Sequence, residues 1–229
     1  MKSKLIIIVA ISLLVLTNSC TVYQPAMADI PLISKKHELR IDAGTTTNLS
    51  TNATISYGLT DKIAIQAFAN TNATDNYGVQ GALGYYKNVG ENTIMEIYGG
   101  FRYSYCDAYN AASPGHLVGT YQTYFTQFNL GKINSKFAHM EYGIGIKAGM
   151  LHSDITDKNY YEYLYTSEPY PTYKDNSLLF EPTAFIRFGG ERLKVNLKVG
   201  GCSIFKFTNT DKYIPYSQLN LGIGLNYRL

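Results

Sequence analysis

Two of the four histidines have sequence neighbours that could support acid–base chemistry. His139 and Glu141 are two residues apart, so on a β-strand their side chains would share one face, where a carboxylate can orient an imidazole base. His152 is followed by Ser153 and Asp154, the residue types of a nucleophilic triad. Consecutive strand residues point apart, however, and no serine partners His139. The sequence favours a structural role for these residues, and a rim hydrolase acting on lipid or peptide is the alternative.

Other residue patterns that carry chemistry are missing from the sequence. There is no phosphate-binding glycine loop, no Cys and His set with metal-ligand spacing, and no basic cluster. We therefore predict no cofactor, no metal and no nucleic-acid partner. Cys106 and Cys202 follow Cys20 as the remaining cysteines, and one disulfide could join them in an oxidising compartment. Their predicted strands are not neighbours, which makes the required approach of the two backbones difficult.

These residues belong to a chain dominated by alternating apolar and polar positions. From Leu219 to Leu229 every second residue is apolar or aromatic, and polar residues or glycines stand between them. A period of two indicates a β-strand with one apolar and one polar face. The alternation exceeds the usual strand length of about 5 or 6 residues and matches the roughly 9 to 11 that a tilted strand needs to cross a bilayer.

Ten such segments predict the architecture. They lie near residues 38–43, 53–59, 63–69, 79–85, 93–105, 121–130, 138–150, 178–188, 193–199 and 217–229. Short turns follow the even-numbered segments, and longer loops follow the others, above all Cys106 to Leu117 and His152 to Asn176. Outer-membrane barrels have this layout, with turns in the periplasm and loops outside. The sequence predicts an all-β, antiparallel up-and-down transmembrane β-barrel of about ten strands, with eight as the alternative.

The polar faces of the predicted strands carry charged residues. A basic side chain facing lipid at mid-bilayer costs roughly 2 to 4 kcal/mol, so in a membrane barrel these residues must face the lumen. Ten strands enclose a narrow lumen, and we predict that ionic hydrogen bonds plug it. A water-soluble, lipocalin-like barrel and a ligand-binding or transport barrel with an emptier lumen are the alternatives. The predicted luminal residues are Glu38, Arg40, Asp42, Glu96, Arg102, Glu141, Lys147, Glu181, Arg187, Lys194, Lys198 and Arg228.

The N-terminal residues carry a targeting pattern. Lys2 and Lys4 precede an apolar run from Leu5 to Leu16, and small polar residues then lead to Cys20, as in a secretory signal. A cysteine after small residues resembles the lipobox of bacterial lipoproteins. The chain as a whole resembles uncharacterised outer-membrane β-barrel lipoproteins of the Bacteroidota type.

That resemblance implies a domain organisation and a location. Residues 1–19 would be a lipoprotein signal peptide, and Cys20 would carry the lipid in the periplasmic leaflet of the bacterial outer membrane. Residues 20–36 contain Pro25 and Pro31 and no clean period, which predicts an extended periplasmic tether. Residues 37–229 would form the barrel.

The loop after the seventh predicted strand is rich in tyrosine, a residue enriched at protein interfaces. These side chains are candidates for contact with a protein partner, and a self-packed lid over the barrel is the alternative. We expect outer-membrane lipid to surround the barrel. With the tyrosine-rich loop, this predicts a non-enzymatic structural or accessory subunit of an envelope complex. The loop tyrosines are Tyr160, Tyr161, Tyr163, Tyr165, Tyr170 and Tyr173.

Overall fold

The computed structural model describes Tyr23, Pro25 and residues 27–72, 76–110, 115–133, 139–158, 172–207 and 216–229. The predicted signal peptide and Cys20 lie outside the described residues. Every regular element in the described part of the chain is a β-strand. No helix there is long and apolar enough to cross a membrane.

The described strands form one antiparallel sheet in which neighbours along the chain are neighbours in space. This order follows from the connections, because a short turn can join only adjacent antiparallel strands. The strands are β1 (Leu39–Thr46), β2 (Ser50–Gly58), β3 (Ile63–Asn72), β4 (Tyr77–Gly90), β5 (Thr93–Asn110), β6 (Gly115–Lys132), β7 (Glu141–Asp157), β8 (Thr172–Gly189), β9 (Leu193–Gly201), β10 (Ser203–Lys206) and β11 (Leu219–Arg228).

The sheet closes through its first and last strands. β1 pairs antiparallel with β11, with Ile41 opposite Tyr227 and Ala43 opposite Leu225. Closure leaves no unpaired sheet edge between these strands, which a lipid environment would not tolerate. The predicted closed barrel requires its first and last strands to pair in this way.

Strands β9 and β10 are two parts of one barrel strand. Thr183 of β8 lies opposite Gly200 of β9, and Phe180 of β8 lies opposite Ser203 of β10, so the register continues unchanged. The interruption falls at Pro182, which has no N–H to donate to the facing strand. The barrel therefore has ten strands. The predicted fold class is confirmed, and the eight-strand alternative is wrong.

The strands from β5 to β8 are longer than predicted, at 17 or 18 residues. Most of the loop predicted from Cys106 to Leu117 is strand, because the β5–β6 ladder continues to Asn110 and Gly115. The loop predicted from His152 to Asn176 is likewise shortened at both ends by β7 and β8. The prediction relied on apolar residues at every second position, and polar residues interrupt that pattern in these parts of the strands. The strands continue there because backbone pairing does not require apolar side chains.

The two ends of the barrel differ in their connections. We define the loop end as the end with connections 47–49, 73–76, 111–114, 158–171 and 207–218, and the turn end as the end with connections 59–62, 91–92, 133–140 and 190–192. The two longest connections, 158–171 and 207–218, lie at the loop end. The start of β1 and the end of β11 lie at the turn end.

The outer surface of the barrel is apolar and its interior is polar. Leu83, Ile223 and Leu225 point outward with 58%, 56% and 53% of their surface exposed. Arg40 and Arg187, in contrast, are 1% and 0% exposed. This reverses the arrangement of a water-soluble barrel and is the arrangement of an outer-membrane-type β-barrel.

Candidate functional site

The lumen of the barrel is occupied by the N-terminal part of the same chain. We call Tyr23, Pro25 and residues 27–36 the luminal segment. Most of its described residues are buried, including Tyr23, Ala28, Ile30, Leu32 and Ile33 at 0 or 1% exposure. The expected periplasmic tether is therefore corrected for the described residues up to Ile33, which are buried inside the barrel, whereas Lys35 and Lys36 are exposed. The physical reason is that the segment is rich in apolar side chains, which a tether would leave in water.

Strand side chains on several sides of the barrel bind the backbone carbonyls of the luminal segment. The carbonyl oxygen of Asp29 accepts hydrogen bonds from Gln66 Nε2 at 3.2 Å and from Gln127 Nε2 at 2.8 Å, from strands β3 and β6. Arg187 Nη2 of β8 donates to the carbonyl oxygen of Ile30 at 2.7 Å. The segment thus crosses the lumen between these strands instead of lying against one wall.

The backbone N–H groups of the luminal segment also find partners on the wall. The N–H of Ala28 donates to Thr183 Oγ1 at 3.1 Å, and the N–H of Ile33 donates to Glu96 Oε1 at 2.7 Å. A buried backbone group without a partner would cost free energy comparable to a lost hydrogen bond. These wall side chains replace the neighbouring strand that the segment lacks at these positions.

Glycines on the inward face of the wall make room for apolar side chains of the luminal segment. A Cβ atom on Gly131 would lie 2.7 Å from Leu32 Cδ1, and one on Gly145 would lie 2.8 Å from Ile30 Cδ1. Both separations are shorter than van der Waals contact, so a larger residue would displace the segment. The luminal segment was not predicted from the sequence; the signal that could have indicated it is these glycines, which stand at positions where side chains would otherwise fill the lumen.

Glu141 of β7 is the centre of one buried ionic cluster. Its Oε2 accepts a hydrogen bond from Arg40 Nη1 at 2.7 Å, and Arg187 Nη1 lies 3.4 Å away. Lys194 Nζ lies 3.9 Å from the other carboxylate oxygen. Arg40 also donates through Nε to Glu38 Oε1 at 2.8 Å. The cluster joins strands β1, β7, β8 and β9 across the lumen.

Asp42 of β1 forms a second cluster that includes the luminal segment. Lys198 Nζ lies 2.7 Å from Asp42 Oδ1 and 2.7 Å from Asp29 Oδ1, so one ammonium binds a wall carboxylate and a segment carboxylate. Asn196 Nδ2 donates to Asp42 Oδ2 at 2.6 Å, and Arg187 Nη2 lies 3.8 Å from the same oxygen. Arg187 therefore connects the two clusters.

The remaining predicted luminal residues also point into the barrel. Lys147 Nζ lies 3.7 Å from Glu181 Oε2, and Arg228 Nε lies 2.9 Å from Glu38 Oε1. The twelve predicted residues are thus all placed in the interior, and the side chains of Lys198 and Arg228 are 10% and 18% exposed. The residues added to those already described are Arg102, Lys147, Glu181 and Arg228.

Glu38 lies just before β1, at the turn end of the barrel. Burial opposes ionisation of its carboxyl, but the coulombic attraction of Arg40 and Arg228 outweighs burial and holds the pKa of Glu38 below its usual value. Hydrogen bonds from the Ser34 hydroxyl at 2.6 Å and the Ser34 N–H at 2.9 Å add to the effect. In its ionised form, the Glu38 carboxylate therefore holds Ser34 of the luminal segment at the turn end.

The candidate catalytic residues do not converge. His139 lies in the connection before β7 with an exposed side chain, whereas Glu141 is buried in the lumen, so the face they were expected to share does not form. His152 is exposed on β7, and its Nδ1 lies 2.9 Å from Asn176 Oδ1. Ser153, the next residue, is 1% exposed and points inward. The alternation of β7 separates this pair to opposite faces of the wall.

Cys106 and Cys202 are both buried and both free, so the two thiols are not joined to each other. They lie in one apolar cluster with Tyr23, Tyr121 and Leu151 near the loop end. The phenolic ring of Tyr23 packs against that of Tyr121 with 5.0 Å between ring centroids. The cysteines therefore contribute small apolar side chains around the start of the luminal segment.

The tyrosine-rich loop falls almost wholly outside the described residues. Tyr160, Tyr161, Tyr163, Tyr165 and Tyr170 are among the residues that the structure does not describe. The backbone of Tyr173 belongs to β8 and pairs with Ile155 of β7.

Two small cavities lie among the described residues of the lumen. One cavity of about 10 Å³ is lined by Asp42, Asn196 and Lys198, and another of the same size is lined by Pro25 and Met27. Each has room for about one water molecule. Within the described ranges, no group of three or more His, Cys, Asp or Glu residues is arranged to hold a metal ion. The geometry is that of a filled, ionically cross-linked barrel.

Comparisons with known proteins give a similarity at the level of three-dimensional structure. No protein-family model matches the chain, and no curated protein sequence matches it. Among solved structures, the chain is similar to the translocator domain of autotransporter NalP from Neisseria meningitidis. The two share 9% sequence identity with a TM-score of 0.40, over 86% of this chain and 91% of that chain.

Proposed function

We propose that this protein is a sealed, lipid-anchored barrel of the bacterial outer membrane with a structural or accessory role in an envelope complex. The observation that carries the proposal is the filling of the lumen by residues of the same chain, which Asp29, Ile30 and Ile33 fix to the wall by hydrogen bonds. A barrel filled in this way serves as a membrane-embedded body and not as a conduit.

The apolar outer surface supports the membrane location. Large side chains such as Leu83 and Ile223 are more than half exposed, and similar residues cover every side of the barrel. Soluble monomers rarely expose apolar patches larger than a few hundred Å². In a bilayer the same surface is favourable, and a closed barrel is one of the two architectures that can span it.

The N-terminal sequence supports export and lipid attachment. The pattern from Lys2 to Cys20 is that of a signal peptide followed by a lipobox-like cysteine. The proposal assigns the lipid to the thiol of Cys20. Growth with a radiolabelled fatty acid tests it, because the parent chain should incorporate label and the Cys20→Ala variant should not.

The separation of His139 from Glu141 and of His152 from Ser153 supports a non-enzymatic role. The tyrosines of connection 158–171 remain the proposed contact surface for a protein partner. Replacing Tyr160, Tyr161, Tyr163 and Tyr165 by serine keeps the loop length and removes the aromatic surface. Loss of co-purifying membrane proteins is the expected result, and an unchanged set would contradict a partner role.

Conductance in planar bilayers tests the sealed lumen. The full-length protein, reconstituted from detergent, should give no large steady conductance, because the luminal segment and the ionic clusters of Glu141 and Asp42 occupy the ion path. A stable open channel would contradict the proposal. Extraction of the folded protein into aqueous buffer without detergent would contradict its membrane location.

A further inference from the structure

The direction of the luminal segment is fixed by its backbone contact near the loop end. Tyr23 forms a parallel bridge with Tyr216, which lies just before β11. β11 runs from the loop end to the turn end, since its last residues pair with the first residues of β1. A parallel bridge means that the segment runs the same way. At Tyr23 the chain therefore runs from the loop end toward the turn end.

The contacts of later residues show that the segment crosses the whole barrel. Pro25 and Met27 line a cavity with Thr46 and Ser50, the last residue of β1 and the first of β2, both at the loop end. Farther along the chain, the segment reaches the turn end. There His37 N–H donates to the carbonyl oxygen of Gly58 at 2.8 Å, and Gly58 is the last residue of β2.

We infer that the mature chain begins on the outer face of the membrane, so that Cys20 and its lipid belong to the outer surface and not to the periplasmic leaflet. The inference rests on the proposed function in two respects, namely that the barrel lies in the outer membrane and that Cys20 carries a lipid. It takes the loop end as the outer end, as in barrels with short periplasmic turns. It differs from the location that the lipobox-like pattern alone implied.

Chain length supports this placement. Only three peptide links separate Cys20 from Tyr23, and even fully extended they span at most about 11 Å. The ten residues of β11 cover about 33 Å along the strand, which at a tilt of roughly 40° is about 25 Å of membrane depth. Cys20 therefore cannot return to the turn end from the position of Tyr23.

The height of the wall provides a route from the mouth to the lipid. β1 and β2 have 8 and 9 residues, whereas β5 and β6 have 18 each, so the wall is lowest beside Thr46 and Ser50. Pro25 lies against this low side. Acyl chains on Cys20 can pass over the wall at this point and insert into the outer leaflet of the same membrane. We therefore assign the lipid to the outer leaflet.

Thiol labelling of intact cells with a membrane-impermeant maleimide tests the inference. Three single reporters are compared: Thr21→Cys beside the lipid, Leu49→Cys in the exposed connection at the loop end, and Lys62→Cys in the exposed connection at the turn end. The parent chain provides the background, because Cys106 and Cys202 are 0% and 4% exposed. We expect T21C to be labelled as fully as L49C in intact cells, and K62C only after the outer membrane is opened.

The reporters separate failure of the inference from failure of the proposed function. If L49C is labelled and K62C is protected, but T21C reacts only after permeabilisation or denaturation, the inference is overturned while the barrel and its orientation stand. If L49C and K62C exchange their behaviour, the orientation premise is overturned. Strong labelling of the parent at Cys20 would show that the thiol carries no lipid. An epitope inserted between Thr21 and Val22, detected by antibody on intact cells, provides a second reporter with the same two outcomes.

Discussion

Arg40 Nη1 and Glu141 Oε2 lie 2.7 Å apart across the lumen, between strands that are distant in the sequence, and neither side chain is more than 1% exposed. A charge pair in this position cross-links opposite sides of the barrel. Its partners cannot exchange the interaction for water without opening the wall, so the pair is a sensitive point at which to test the luminal network.

Glu141→Gln should strongly destabilise the barrel. The substitution leaves Arg40 and Arg187 facing a neutral group, and breaking a buried ion pair on one side costs about 3 to 5 kcal/mol. The free energy of unfolding, measured by urea titration in lipid vesicles, checks this. Glu91→Gln in the exposed connection between β4 and β5 is the matched control, with an expected change within about 0.5 kcal/mol. Equal effects of the two variants would contradict a structural role of the cluster.

Gly145→Ala should displace the luminal segment. The new Cβ would lie 2.8 Å from Ile30 Cδ1, and overpacking of this kind costs about 1 to 3 kcal/mol. Gly99→Ala is the control, because a Cβ there meets no atom within 4 Å and points to the outside of the barrel. Unfolding in vesicles gives the energy, and protease cleavage of residues 23–36 reports release of the segment. Cleavage that is no faster in G145A than in G99A would count against the packing described.

Leu83→Arg should show that the outer surface contacts lipid. Leu83 lies near the middle of β4 and is 58% exposed, and arginine at the bilayer midplane costs about 2 to 4 kcal/mol. Leu49→Arg makes the same chemical change at a residue that is 71% exposed in the connection between β1 and β2, where a cost of about 0 to 1 kcal/mol is expected. The difference between the two unfolding free energies is the measurement. A tolerated arginine at residue 83 would place that surface in water.

Lowering the pH should loosen the turn end of the barrel through Glu38. Arg40 and Arg228 hold the pKa of its carboxyl below the usual value, so its ionisation stabilises the folded state. This contribution is complete above the unfolded pKa of about 4.3 and is lost as the pH falls through the lower folded pKa. The unfolding free energy of the parent should therefore fall more steeply below pH 4 than that of Glu38→Gln. Parallel pH curves for the two proteins would contradict this assignment.

The strands could be predicted because each residue in them meets one of two environments. Leu219 to Leu229 alternates between lipid and lumen, and that alternation is written into neighbouring residues. The inward orientation of the charged residues could be predicted by the same argument, because Arg40 or Arg187 facing lipid would be costly. The parts of β5 to β8 near the loop end were harder to predict, because they continue as strands with little alternation of apolar and polar residues.

The path of the luminal segment was decided by tertiary structure. The luminal segment has no period because wall side chains contact it from several sides. Its contacts join residues far apart in the sequence, as in the pairing of Asp29 with Lys198. Alternation along the sequence is enough to predict a closed barrel with an apolar outside and a charged inside, because that rule acts residue by residue. Only the assembled wall determined that the lumen is filled by the N-terminal residues and that the chain runs through it from the loop end to the turn end.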